Sequence, residues 1–247
     1  MSDSETYKAQ KVAVGWGLDE RAGSVVFPAP AAVFSERSKA LSNRAVQACP
    51  AVNDFERDLF QIYCPFNIRL RIQKNNENCD LHIVEDGTRV DEDLISKFVV
   101  LMHPKTWRQP DIPVIQIKVP YFFLSDQPCM LTQMPPFMDE AMMRWPGTLI
   151  SGRFPTDVWP RVLNWAFEWQ ATDEDLILKR GSPLCYLQFD TKNLNSRIDL
   201  FQLEQTPELI EYRDSIAMAP KYMSNTFSLF ETAAERRPKK LLVRKKQ

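Results

Sequence analysis

The side chains with the widest chemical reach in this sequence are five cysteines, two histidines and two runs of three acids. The cysteines are Cys49, Cys64, Cys79, Cys129 and Cys185. Their number is odd and no two stand at C-x-x-C spacing, so neither a disulfide framework nor a zinc knuckle is expected. Free, mostly buried thiols in a reducing compartment are the expectation, and such thiols are inert. His82 and His103 cannot supply H-E-x-x-H, and two histidines without a suitably spaced carboxylate make no facial iron triad. Each is expected to be a hydrogen-bonding surface residue. The runs Asp91-Glu92-Asp93 and Asp173-Glu174-Asp175 are of types that bind hard cations or divide general acid from general base. Adjacent acids at a loop or helix start more commonly form a solvated face, and that is the expectation here. No G-x-x-x-x-G-K-[ST], G-x-G-x-x-G or G-x-S-x-G occurs. No catalytic residue, no metal and no cofactor is therefore expected.

Three other groups remain as candidate contacts. Trp165, Phe167 and Trp169 would share one face of a strand, with Asn164, Ala166 and Glu168 on the other. Three aromatics on one face bury a large area and suit a core. Asn164 beside them must find a polar partner. Asn164, Trp165 and Cys185 are thus candidate ligand contacts if they line an open pocket, and core residues if they are sealed. Met130, Met134, Met138, Met142 and Met143 crowd into fourteen residues. Methionine suits plastic packing, so the segment from Met134 to Pro146 is expected either to fill core or to form a flap or adaptable contact surface, with Met138 and Met142 as candidate partner contacts. The third group is a basic tail. Arg236, Arg237, Lys239, Lys240, Arg244, Lys245 and Lys246 place seven cations and no acid from residue 236 onward. With a net charge of −1 overall, the rest of the chain carries −8. Any nucleic-acid contact is expected only through this tail, which is otherwise a solubilising extension. Its Leu241-Leu242-Val243 could add an edge strand between the basic ends.

The elements that must position these residues are short. The chain has 18 Pro and only 7 Gly among 247 residues, and proline interrupts helices and central strands alike. Phe66, Ile68, Leu70 and Ile72 alternate with Asn67, Arg69 and Arg71, a strand with one wet face. Pro65 should divide this run from the apolar Phe60–Cys64. A turn at 75–78 and the Asp86-Gly87 pair suggest a hairpin through Leu81–Val84. Residues 91–101 read as a helix, or as a run into a strand at 98–101. Ile112 to Phe123 reads as two strands hinged at Pro120, and Met130 onward as another, stopped by Pro135-Pro136. Between Gly147 and Leu203 come five short β segments (148–154, 162–169, 176–178, 184–189 and 198–203), read as one sheet system. Thr206 is the expected N-cap of a helix with Pro207 at its first position, running to about Met218. The fold class is therefore mainly β: a β-clip, barrel or sandwich of short strands with one or two short helices. The expected divisions are a loose N-terminal arm at 1–24, a single mainly β domain at 25–220, and an extended basic C-terminal tail at 221–247.

Two sets of motifs resemble a family known only as a domain of unknown function (number 6065). One is Phe27-Pro28-Ala29-Pro30 followed by Cys64-Pro65-Phe66. The other pairs Asn164-Trp165-Ala166-Phe167 with Arg180-Gly181-Ser182-Pro183-Leu184-Cys185-Tyr186-Leu187-Gln188-Phe189. The resemblance implies no activity. The family occurs in bacteria and tailed phages, so a phage origin is among its implications. Gly147-Thr148-Leu149-Ile150 and Leu176 to Leu187 more faintly resemble the β-clip of the deoxyuridine triphosphatase family. That family's water-activating Asp after Gly-x-Ile is replaced here by Ser151-Gly152, Tyr186 stands where its late Gln is usual, and its Gly-rich phosphate loop is missing. The likeness thus implies a fold and no catalysis.

With no apolar leader in the first residues and no ~18-residue apolar run, the reading expects no membrane and a cytoplasmic location, host cytoplasm or virion if phage-encoded. The expected function is a non-catalytic binding or assembly module with a protein partner or a second copy. The alternative is an enzyme acting on a small ligand or nucleotide on a β-clip or cupin-like frame.

Overall fold

The run Tyr121-Phe122-Phe123-Leu124-Ser125 is buried on both faces, so it must lie between two layers. It is strand β8 in the computed structural model, which describes residues 10–19, 25–33, 42, 45–75, 78–84, 98–192, 196–218 and 226–246. Tyr121 and Phe123 point into a large core, whereas Phe122 and Leu124 point into a smaller second one. The molecule is mainly β, as expected, and among the described residues no sheet closes into a barrel.

Four sheets are present among the described residues. The first carries β15 (Arg197–Gln202), β1 (Lys11–Leu18) and β8, with β1 parallel to β15 and antiparallel to β8. The second runs in the order β11 (Gly152–Pro155), β9 (Cys129–Met134), β14 (Pro183–Thr191), β3 (Leu59–Tyr63) and β2 (Ala31–Ala32). The third holds β13 (Leu176–Leu178), β4 (Ile68–Asn75) and β5 (Asn78–Ile83). The fourth holds β10 (Gly147–Leu149), β12 (Asn164–Trp169), β7 (Val114–Lys118) and β6 (Val99–Leu101). All four contribute side chains to the large core.

Local chemistry explains the element boundaries. In β4, Ile68, Leu70 and Ile72 go inward. Arg69 and Arg71 face Asp175, at 2.6 and 2.7 Å. Pro65 separates β3 from β4, and Pro120 separates β7 from β8, both as expected. Gly181 adopts φ +82°, a left-handed conformation open to glycine, and turns the chain from β13 into β14. That turn is clamped by mutual bonds in which Gly181 N donates to Cys64 O and Cys64 N donates to Ser182 O, each at 2.9 Å.

The loose arm at 1–24 is not what the described part shows: residues 10–19 include β1, an inner strand of its sheet. Val12, Val14 and Trp16 enter the large core, and Gly15 and Gly17 leave room for side chains packed over the strand. A Cβ on Gly15 would lie 2.3 Å from Leu203, and one on Gly17 2.4 Å from the Phe122 ring. The five segments between 147 and 203 are not one sheet system. They distribute over all four sheets, because the chain breaks at Ile150-Ser151, so that the stretch read as one strand becomes β10 and β11 in different sheets. The hairpin is β4–β5, while 85–90 lies outside the described residues. Of the 91–101 reading, only 98–101 is described, and it contains strand β6. The Asp91-Glu92-Asp93 run also lies outside.

Three α-helices are described where one or two were expected: α1 (Pro50–Arg57), α2 (Pro207–Met218) and α3 (Thr226–Arg236). The α2 boundaries are those expected, and Leu209 N donates to Thr206 Oγ1 at 3.3 Å. The extended tail is the other correction, since α3 occupies much of it. Beyond α3 the chain forms a strap that docks on β15. Leu203 and Arg244 form an antiparallel bridge, Glu204 N donates to Val243 O (2.9 Å) and Lys245 N to Gln202 O (3.0 Å). The edge strand expected from Leu241-Leu242-Val243 thus exists as a short pairing centred on Arg244, just past that run. Leu241, 1% exposed, closes the second core with Trp159, Leu209, Tyr212 and Ile216.

Candidate functional site

The motif residues, far apart in sequence, converge beside β12. Trp165 Nε1 donates to Leu184 O at 2.7 Å. Tyr121 Oη donates to Pro28 O at 2.6 Å, and Arg180 N donates to Asn67 Oδ1 at 2.8 Å. Phe27, Cys64, Phe66, Phe98, Ile117 and Leu184 border a small cavity there. Its volume is about 10 Å³, at the lower limit for one water, and the surface lining it is apolar, so a water would find no partner. This locus is a packing centre rather than a ligand pocket.

Trp165 and Cys185 are fully buried, which corrects their standing as ligand contacts. Trp165 stacks on Phe167 with centroids 5.2 Å apart and planes 5° off parallel, and Phe167 meets Trp169 edge-on at 5.9 Å. Trp169 Nε1 donates to Ala171 O at 3.1 Å and to Glu174 O at 3.2 Å. Both indoles are therefore satisfied internally, the requirement for burying them. The period-two reading of β12 placed these rings correctly on one face. Asn164 is half-buried at the start of that strand, opposite Lys118.

The buried thiols and phenols are held in their protonated forms. Burial pushes the Cys185 thiol up to about 12, and Cys64 and Cys129 up to about 11. Burial likewise raises Tyr186 and Tyr212 to about 12. Tyr212 Oη serves Val158 O and Ala233 O, each at 3.0 Å, tying α2 to α3. Cys49 differs: it is exposed at the start of α1, and backbone N–H groups of Val52 and Ala51 lower its thiol from the usual value. The buried acids are paired. Arg108 grips Glu168 with two bonds of 2.7 and 2.5 Å and holds its carboxyl below the usual range. Arg71, then Arg69, does the same for Asp175, the last acid of its run. His103 is exposed and its Nδ1 accepts from Lys105 N at 3.1 Å, the surface role expected of it.

No family model and no curated protein matches the chain.

The remaining candidate contact residues lie, among the described residues, on two parts of the surface. The Met-rich segment crosses from β9 to β10 through a 3₁₀ turn, Glu140–Arg144, with Asp139 Oδ1 accepting from Ala141 N at 2.8 Å. Met138 is exposed, Met142 half-buried, and Met143 is 74% exposed. Phe137 is exposed too; its ring lies 6.2 Å from that of Phe55 on α1 and edge-on to Tyr186 at 5.4 Å. Phe55 was missed by the sequence reading. The apolar positions of α1 do not look unusual until the fold seats the helix beside Phe137.

The strap is the second surface. Of the seven tail cations, Arg237 and Arg244 are structural, which corrects their place among free contacts. Arg237 Nη2 donates to Asp126 Oδ1 (2.6 Å) and Ser125 O (2.8 Å), and its Nε donates to Asp157 O. Arg244 pairs with Asp199 at 2.7 Å and lies over the Phe201 ring at 4.0 Å. Asp126 also accepts from Leu241 N at 3.1 Å. Nothing local in the sequence marks Asp126, because its partners lie more than a hundred residues away. Arg236, Lys239, Lys240, Lys245 and Lys246 are exposed. Among the described residues no helix is long and apolar enough to cross a membrane.

Proposed function

We propose that this chain is a non-catalytic binding or assembly module whose protein-contact surface is the aromatic–methionine patch of Phe55, Phe137, Met138 and Met143. The carrying observation is the contrast between inside and outside. The thiols, phenols and carboxylates described above are sealed or paired, Cys49 apart, while two phenylalanines and two methionines stand in water close to one another along the chain or across α1. Exposed apolar groups gathered in one place mark an interaction surface, and methionine lets such a surface adapt to its partner. The resemblance to the domain of unknown function adds a bacterial or phage setting, host cytoplasm or virion, to the same proposal.

The enzyme alternative, on a β-clip or cupin-like frame, rests on the segment 181–189 and the nearby Asn164; Cys185 of that segment and Trp165 lie in the closed core, and Asn164 is half-buried. Sedimentation over a wide protein concentration range tests the assembly form of the proposal. The wild type is expected to self-associate, and Phe137→Ser with Met143→Ser is expected to stay monomeric with an unchanged circular dichroism spectrum. Identical behaviour of the two proteins at every concentration would contradict it. So would a large thermal shift of the wild type by a nucleotide or metal, which would favour the enzyme.

A further inference from the structure

We infer that the C-terminal strap is a rail for the phosphate backbone of double-stranded nucleic acid. This rests on the binding-module reading but uses a different surface, so either can fail alone. The strap is pinned at both ends: Arg237 to Asp126, Ser125 O and Asp157 O, and Arg244 to Asp199 and the Phe201 ring. Leu241 is sunk in the second core between the pins. The cations not used in pinning, Arg236, Lys239, Lys240, Lys245 and Lys246, are all exposed. Glu204, whose N donates to Val243 O, and Glu235, which precedes Arg236, are exposed next to these cations.

The geometry favours a polyanion over an acidic protein. Protein interfaces are built round an apolar centre. The strap has spent Leu241 on its own core and half-buried Leu242, leaving Val243, 39% exposed, among the charges. Lys240 and Lys245 are five residues apart, at most about 17 Å at the rise of an extended chain. That spans roughly five phosphates of one B-DNA strand at ~3.4 Å each along the axis. Lysines predominate, as point charges suited to phosphate, and the strap presents no aromatic ring on which a base would stack. Contact is therefore expected to be independent of sequence. Because the strap is already docked, the ordering cost that a free tail would meet on binding is largely absent.

The test is fluorescence anisotropy of a labelled DNA duplex against the full chain in a salt series. Five phosphate contacts give a slope of log K on log salt of about −4.5, or about a 500-fold loss of affinity between 50 and 200 mM salt. Replacing Lys239, Lys240, Lys245 and Lys246 together by glutamine leaves both pins in place. It should flatten the slope to about −0.9, with the melting temperature unchanged. Duplexes of unrelated sequence should bind alike. No binding at low salt would overturn the inference, as would binding that the four substitutions leave intact. Displacement by polyglutamate as efficient as by unlabelled duplex would also overturn it, in favour of an acidic polypeptide.

Discussion

Replacing Asp126 by alanine should release the C-terminal strap. Its carboxylate accepts from Arg237 Nη2 at 2.6 Å, Leu241 N at 3.1 Å and Leu242 N at 3.4 Å. Hydrogen bonds to a charged group contribute about 1.5–3 kcal/mol each when shielded. The Asp126 side chain is 24% exposed and the third bond is long, so water replaces part of this, and about 2–3 kcal/mol in all is a fair expectation. Detachment would further expose Leu241, worth up to about 2 kcal/mol. For a chain of this size each kcal/mol lowers the melting temperature by roughly 2–4 °C, so the hydrogen-bond loss alone predicts a fall of about 5–10 °C. Trp159 reports on the same region, because its ring meets Phe230 of α3 edge-on at 5.5 Å, and its emission should shift red before global unfolding. Asp126→Asn keeps an acceptor and should lose about half as much. A melting temperature within about 2 °C of wild type for Asp126→Ala, less than the loss of 1 kcal/mol would give, with unchanged emission, would refute the view that this carboxylate holds the strap.

Gly17→Ala drives a methyl group against the Phe122 ring and should destabilise the fold by about 1–3 kcal/mol in urea titration, the usual cost of overpacking. An effect below a few tenths would mean that β1 is not seated as described. Arg108→Ala strands the buried Glu168 carboxylate and should lower stability at neutral pH. Because Glu168 titrates below its unfolded value, the native pair stabilises above about pH 4.3 and loses its effect as pH falls through the lower folded value. The gap between mutant and wild type in melts across pH should therefore close in acid; a gap that widens there would contradict the pairing. With a thiol reagent under native conditions, Cys49 should react fast and Cys79 more slowly, while Cys64, Cys129 and Cys185 react only on unfolding. Fast labelling of Cys185 would count against the sealed core.

How much of this was legible in the sequence depends on the range of the interaction. Period-two alternation identified β4 and β12 and even the buried face of the latter, because a strand's two faces are written in adjacent residues. Proline marked the breaks at 65 and 120, and Thr206-Pro207 marked the start of α2, for equally local reasons. The errors lie where partners are distant. The N-terminal segment looked like a loose arm because the residues that fill the space above Gly15 and Gly17, Leu203 and Phe122, come more than a hundred positions later. The basic tail looked free because the acids that pin it, Asp126 and Asp199, carry no local signature. For the candidate site the same split holds. The Met-rich segment and the basic run were visible as composition, but composition could not separate Arg237 and Arg244 from the cations left for contact. Nor could it show Phe55 beside Phe137.

Hydroxyl-radical footprinting, read residue by residue in the native chain, compares inside with outside in one experiment. Met143, Met138, Phe137 and Phe55 should be oxidised rapidly, while Trp165, Trp169 and Cys185 stay protected until the protein unfolds. Oxidation of Trp165 and Cys185 at the rate of Met143 would show an open pocket where the account has a closed core, and would move the search for function back to the interior.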